Sequence, residues 1–196
     1  MNVIAPKAED ARLTCEAAAR AKALFAGCNI PPLSRPVKIE LIEENDANCF
    51  GLFHCGEDRI EVLTPSAMAA KRRDDSFFAD LPIDRFFQSI IVHELTHAAI
   101  EDAPCPFAFC LARDEYVANV MQMMSLTPEQ RHHVEELTDL VGRRISRDEL
   151  SATMYFMAPD RFAVKSWMHF TQRDDPCGFL GHIVDGTVLL DRERFD

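Results

Sequence analysis

His93-Glu94-Leu95-Thr96-His97 is the stretch that decides how this chain is read. On an α-helix, positions i and i+4 share a face, so both imidazoles can reach one metal ion. Glu94 lies about 100° round the helix from His93, close enough to meet a water at that metal without ligating it. The run from Asp84 to Ile100 supplies the helix. Pro82 precedes it, and Asp84 is placed to cap it. Phe87, Ile91, Val92, Leu95, Ala98 and Ala99 form a broad apolar face at helical spacing. His93, Glu94 and His97 fall on the other side among Phe86, Ile90 and Ile100. A solvated face carries more charge than that, whereas a desolvated ligand set belongs among apolar neighbours.

A catalytic zinc site has three protein ligands and an open position for water. Beyond His97, Pro104 and Pro106 break the helix, and a second helical run extends from about Ala112 to Leu126. Tyr116, Val117, Val120, Met121, Met123 and Met124 make it apolar nearly all the way round. The exception is one stripe, Glu115, Asn119 and Gln122. A carboxylate on a buried stripe is costly unless it is paired or bound to metal, and zinc supplies that compensation. Asp114 is the rival third ligand, pointing about 100° away from the stripe.

His93, Glu94, His97 and Glu115 resemble the gluzincin pattern of zinc metallopeptidases, in which a Glu on the following helix completes the site. The resemblance is specific over about residues 86–126 and implies His93, His97 and Glu115 as Zn2+ ligands, with Glu94 as general base. The metzincin pattern does not fit, since Ile100 and Ala103 stand where it needs Gly and His. Asn119 matches the place of a histidine-orienting acid in thermolysin-like members, and backbone bonding is the equally open alternative. Gluzincins take a His or Tyr from the C-terminal lobe to stabilise the oxyanion. Candidates are Tyr155, His169 and His182, with His169 ranked first because it follows Trp167 on an expected helix. His132 and His133 read as surface residues, and His54 follows a strand.

The chain also resembles small bacterial HExxH proteins of uncharacterised activity, for which a hydrolase is implied. The segment from Glu115 to Asn119, with Leu126 and Pro128 after it, is similar to ImmA/IrrE-type regulatory proteases, which are cytoplasmic. The remaining alternative is a non-catalytic, zincin-shaped binding protein. Against it, a purely structural site has no use for Glu94.

The 196 residues suit one domain, 47% hydrophobic, with a core of real size. The resemblance implies a single zincin-like α+β domain, an N-terminal lobe of about 1–101 and a mostly helical lobe of about 102–196. With 21 basic and 32 acidic residues the net charge is −11, which argues against nonspecific nucleic-acid binding and attraction to anionic lipid. The expected partner is a peptide or protein substrate. No apolar run reaches membrane-spanning length, and residues 1–10 lack a signal-peptide core. Seven cysteines complicate the location. Cys15 with Cys28, Cys49 with Cys55, and Cys105 with Cys110 are three nearly local pairs that suit disulfides of an exported protein whose signal has been removed, with Cys177 left over. Reduced, buried thiols of a cytoplasmic protein are the alternative.

Residues 8–26 read as an Ala-rich helix ending at Gly27. Residues 37–42, 49–54 and 59–63 alternate as strands, with a turn at 45–48, and in series suggest an antiparallel meander. Arg59–Leu63 is the expected edge for pairing with extended peptide. A short helix follows Thr64. Thr127 and Gln130 form a capping-box start for a helix to about Leu140, Ser146 opens another, residues 159–170 form a third, and residues 174–181 read as irregular.

Overall fold

The computed structural model describes residues 1–45 and 49–191. It is an α+β protein with a four-stranded mixed sheet and, among the described residues, eight α-helices. The strands are β1 (Asn2–Ile4), β2 (Lys38–Ile42), β3 (Gly51–His54) and β4 (Arg59–Leu63). The first helices are α1 (Ala8–Gly27), α2 (Pro65–Lys71), α3 (Ile83–Ile100) and α4 (Leu111–Ser125). The C-terminal part carries α5 (Pro128–Glu136), α6 (Ala152–Met157), α7 (Pro159–Thr171) and α8 (Pro176–Val184).

The sheet corrects the meander. Its order is β1-β2-β4-β3, with β1 and β4 both parallel to β2, and only β3 and β4 antiparallel. The strand β1 was not anticipated. The β3–β4 link is a tight turn, with Gly56 at φ 78° and Asp58 at φ 50° in the left-handed region. Strand β2 instead lies beside β4, so the chain crosses over before β3. Alternation shows which residues face the core but not which strand is the neighbour. Consequently Arg59–Leu63 is an interior strand, as the burial of Ile60, Val62 and Leu63 requires, and β3 is the edge. The expected turn at 45–48 lies mostly outside the described residues.

Helix α3 runs through the middle of the molecule. It packs on β3 and β4, on α1 and on α4. Helix α1 presents Leu13, Ala17, Ala21 and Phe25 as a buried stripe at i, i+4 spacing. Phe87, Ile91, Val92 and Leu95 of α3 are fully buried or nearly so, and Phe86, Ile90 and Ile100 on the other side are buried too. Beyond its first turn α3 is buried except at His93 and His97, which are partly covered, so polar groups on it must find partners inside the protein. Asp84 lies in its first turn, and Pro82 occupies the N-cap without a side-chain bond.

Thr64 caps α2 by accepting from Ala67 N. Thr127 and Gln130 form the full capping box of α5, which stops at Glu136, short of Leu140. Ser146 opens only a three-residue 3-10 turn (Arg147–Glu149). The irregular stretch at 174–181 is in fact mostly helix α8, whose start is set by two local devices. Asp175 accepts from Gly178 N at 3.0 Å, and Pro176 supplies a first-turn residue with its φ already helical.

Two disulfides are present, Cys28–Cys177 and Cys105–Cys110. The second is an anticipated local pair. The first joins residues 149 apart and ties the end of α1 to α8. Cys15, Cys49 and Cys55 are free thiols, so two of the three expected pairs do not form. Cys15 points from the exposed side of α1, whereas Cys28 is wholly buried beside its distant partner.

Candidate metal centre

Helices α3 and α4 bring three side chains to one point. His93 Nε2 and His97 Nε2 face each other at 3.1 Å. Glu115 Oε2 lies 3.5 Å from His93 Nε2, and Oε1 lies 3.7 Å from His97 Nε2. Bonds of about 2.0–2.2 Å in a tetrahedral site hold neighbouring ligand atoms roughly 3.3–3.6 Å apart. The three separations bracket that spacing. Glu115 is 7% exposed, yet its Oε2 is buried with no hydrogen-bond partner. An orphaned carboxylate oxygen aimed at two imidazole nitrogens is what a cation would satisfy. His93, His97 and Glu115 could therefore hold a metal ion.

The ring of His93 is oriented from behind. Its Nδ1 lies 3.0 Å from Gln122 Oε1, an oxygen that can only accept, so Nδ1 carries the proton and Nε2 presents a lone pair. Gln122 Nε2 donates to Ser89 Oγ at 3.3 Å, and Ser89 Oγ donates to Phe86 O at 2.7 Å. That chain fixes which way the amide faces. Asn119 takes no part: its Nδ2 donates to Glu115 O at 2.7 Å, within its own helix. The orienting residue on the stripe is thus Gln122, one turn beyond Asn119. Asp114 pairs with Arg113 at 2.8 Å and lies outside the cluster. Arg113 also donates to Ala103 O and Pro104 O, pinning the connection between the site helices. Asp191 accepts from Ala112 N and Arg113 N at 2.9 and 3.0 Å, anchoring the start of α4.

Charge in the cluster is strongly coupled. Burial works to lower His93, but the Glu115 carboxylate beside it wins and raises it. Burial lowers His97 to about 4 against the pull of Glu115. Glu115 itself is held below the usual carboxylate range: burial pushes it up, but His93, His97 and the Tyr155 hydroxyl outweigh that. Glu94, 6% exposed, is pushed up to about 7 by burial and by Glu115, against His93 and the Phe53 backbone N–H.

Tyr155 of α6 lies against Glu115, and burial together with that carboxylate raises its hydroxyl, which stays protonated. His169 sits elsewhere. It is 3% exposed, and its Nδ1 pairs with Tyr116 Oη at 2.9 Å. Its ring packs against that of Phe179 of α8, tilted by 59°. Of the candidates named from the sequence, Tyr155 lies against Glu115 and His169 does not. Being next to Trp167 on a helix buries a histidine but does not aim it at the site. His182 is at the surface, 3.6 Å from Asp185. His132 and His133 are also at the surface, paired with Glu136 and Asp80. His54, at the end of β3, pairs with Glu61 at 3.1 Å.

Gly51 went unremarked in the sequence, yet a Cβ there would stand 2.7 Å from Glu94 Cγ and Oε1. The signal was available, since glycine inside a strand pattern marks a close approach. Fold and cluster together define an α+β protein whose two central helices hold a His-His-Glu group fit for a metal ion. The chain belongs to a family of unknown function, DUF6639, whose profile matches residues 1–193. No curated protein and no solved structure matches it.

Proposed function

We propose that the protein is a zinc-dependent peptidase with a zincin-like arrangement, acting on an extended peptide or protein segment. The observation that carries this reading is the orphaned Glu115 oxygen, facing two imidazole nitrogens one helical turn apart, with Glu94 between them in sequence. Two imidazoles and a carboxylate suit Zn2+. Zinc held there supplies Lewis acidity, polarising the scissile carbonyl and making a nearby water acidic.

The remaining work falls to the chain's own residues. Glu94 accepts a proton from the attacking water and returns it to the leaving amine. Burial raises Glu94 above the usual carboxylate range, the direction that suits a group that must both take and give a proton. Tyr155, protonated and beside Glu115, donates to the oxygen on which negative charge develops. Gln122 keeps His93 in one tautomer. The outer side of β3, next to Glu94, is the edge along which the substrate backbone is laid.

Two disulfides are more typical of extracytoplasmic proteins, and they favour an exported enzyme over the cytoplasmic ImmA/IrrE-like reading. No helix among the described residues is long and apolar enough to cross a membrane. Glu94→Gln tests the chemistry. The variant should keep its metal while hydrolysis of an unfolded protein falls about 10²–10⁴-fold. Hydrolysis at the parent's rate would remove Glu94 as the base.

A further inference from the structure

We propose that Gly51 is a positioning residue for Glu94, its missing side chain forming the seat in which that carboxyl group lies. The proposal rests on the hydrolase reading above for its catalytic consequence, but the seat itself is a matter of packing. A Cβ on Gly51 would stand 2.7 Å from Glu94 Cγ, 2.7 Å from Oε1 and 3.0 Å from Cδ. Side-chain carbons do not approach that closely, so any other residue at 51 must push Glu94 away. Backbone conformation does not explain the glycine. Its φ is not in the left-handed region, unlike those of Gly56, Gly142 and Gly186. A glycine within a strand also weakens the strand. Gly27, Gly56 and Gly142 have nothing within 4 Å of an added Cβ, and the crowding at Gly178 comes from the Asp175 cap of its own helix. Gly51 alone is crowded by a proposed reacting group.

The strand completes the seat. Leu63 N donates to Phe50 O at 2.9 Å, and β3 runs antiparallel to β4 with Gly51 opposite Val62. Alternation of the ladder then turns the peptide groups of Gly51 and Phe53 toward the outer edge. Gly51 provides the clearance, and α3 holds Glu94 against it. A long, flexible acid is thereby restricted before any substrate arrives, and such placement affects rate more than binding.

The test compares the zinc-loaded parent with Gly51→Ala. Metal content should stay near one per chain, KM should change less than about twofold, and kcat should fall about 10–100-fold. Parent-like kcat in a folded, loaded Gly51→Ala would overturn the proposal. Glu94→Asp provides an independent arm. In the parent it lowers kcat, but in the Gly51→Ala background the shorter acid avoids the new methyl, so the second change should cost little more. Losses that simply multiply would contradict the seat. A crystal structure of the variant should show the Glu94 carboxyl moved by about 1 Å or more, and an unmoved carboxyl would overturn the idea. Should Gly51→Ala fail to fold, a structure of the zinc-loaded parent decides: Glu94 packed on Gly51 supports the proposal, and Glu94 turned out of contact refutes it. A parent that binds zinc but hydrolyses nothing would sink the enzymatic reading while these structures still judge the seat.

Discussion

Adjacent residues of α4, Glu115 and Tyr116, each meet histidines, partly buried in the first case and fully buried in the second, and the two encounters differ in what is left unpaired. Tyr116 gives its hydroxyl to His169 at 2.9 Å, and that pair is complete. Burial, with the Arg173 charge nearby, lowers His169 to about 4, so a neutral ring accepts from a neutral phenol. Glu115 meets His93 and His97 at 3.5 and 3.7 Å, with its Oε2 buried and lacking a hydrogen bond. Both sites are buried and both contain histidine. Only the second has converging lone pairs and an unsatisfied charge. Burial of a histidine is therefore no evidence of function; what sets Glu115 apart is an unsatisfied carboxylate oxygen converging with two imidazole nitrogens.

The sharpest way to break this contrast is to change one aromatic residue on each side. Tyr155→Phe should keep its metal and lower kcat about 10²-fold or more, the usual effect of losing an oxyanion donor. His169→Phe should leave kcat within about threefold and lower stability by about 1–3 kcal/mol, because the Tyr116 hydroxyl is then buried unpaired. The reverse pattern, with turnover lost in the His169 variant and kept in the Tyr155 variant, would exchange their roles.

Cys28–Cys177 tethers α8, which carries the Phe179 ring packed on His169. Replacing both cysteines by Ala should lower unfolding stability by about 2–5 kcal/mol in denaturant titrations. Metal affinity should hardly change, since α3 and α4 carry the ligands. A large loss of metal would mean that the two regions are not separable.

The smallest effect is set by pH. His169 titrates lower in the folded chain than the ordinary histidine value of 6.5. The unfolded state therefore takes up its proton first as pH falls, and stability is lost between about pH 6.5 and 4. The parent should lose about 1–2 kcal/mol more than His169→Phe across that window. Parallel melting curves for the two proteins would show that His169 is not held neutral.

Most helices were legible because their signals are local, although residues 174–181 read as irregular despite the Asp175 cap and Pro176 at the start of α8. The stripe of Glu115, Asn119 and Gln122 marks a polar seam on an apolar helix, and the capping box at Thr127 and Gln130 lies where the sequence puts it. Within that seam, periodicity could not distinguish Gln122, which reaches across to His93, from Asn119, which bonds back to its own helix. The sheet was harder. Ile39, Leu41, Ile60 and Val62 alternate as expected, but β4 finds β2 across the intervening β3, a pairing no local pattern records. The same holds for Cys28 and Cys177, and for Tyr155, whose place against Glu115 depends on how α6 packs. Long-range neighbours decided what the local chemistry left open.

The central claim is that His93, His97 and Glu115 hold one zinc ion, and elemental analysis of the purified parent beside Glu115→Ala tests it most directly. The expected result is about one zinc per chain in the parent and less than about a tenth of that in the folded variant. Stoichiometric zinc retained by Glu115→Ala, or a parent that binds none when zinc is supplied, would contradict it.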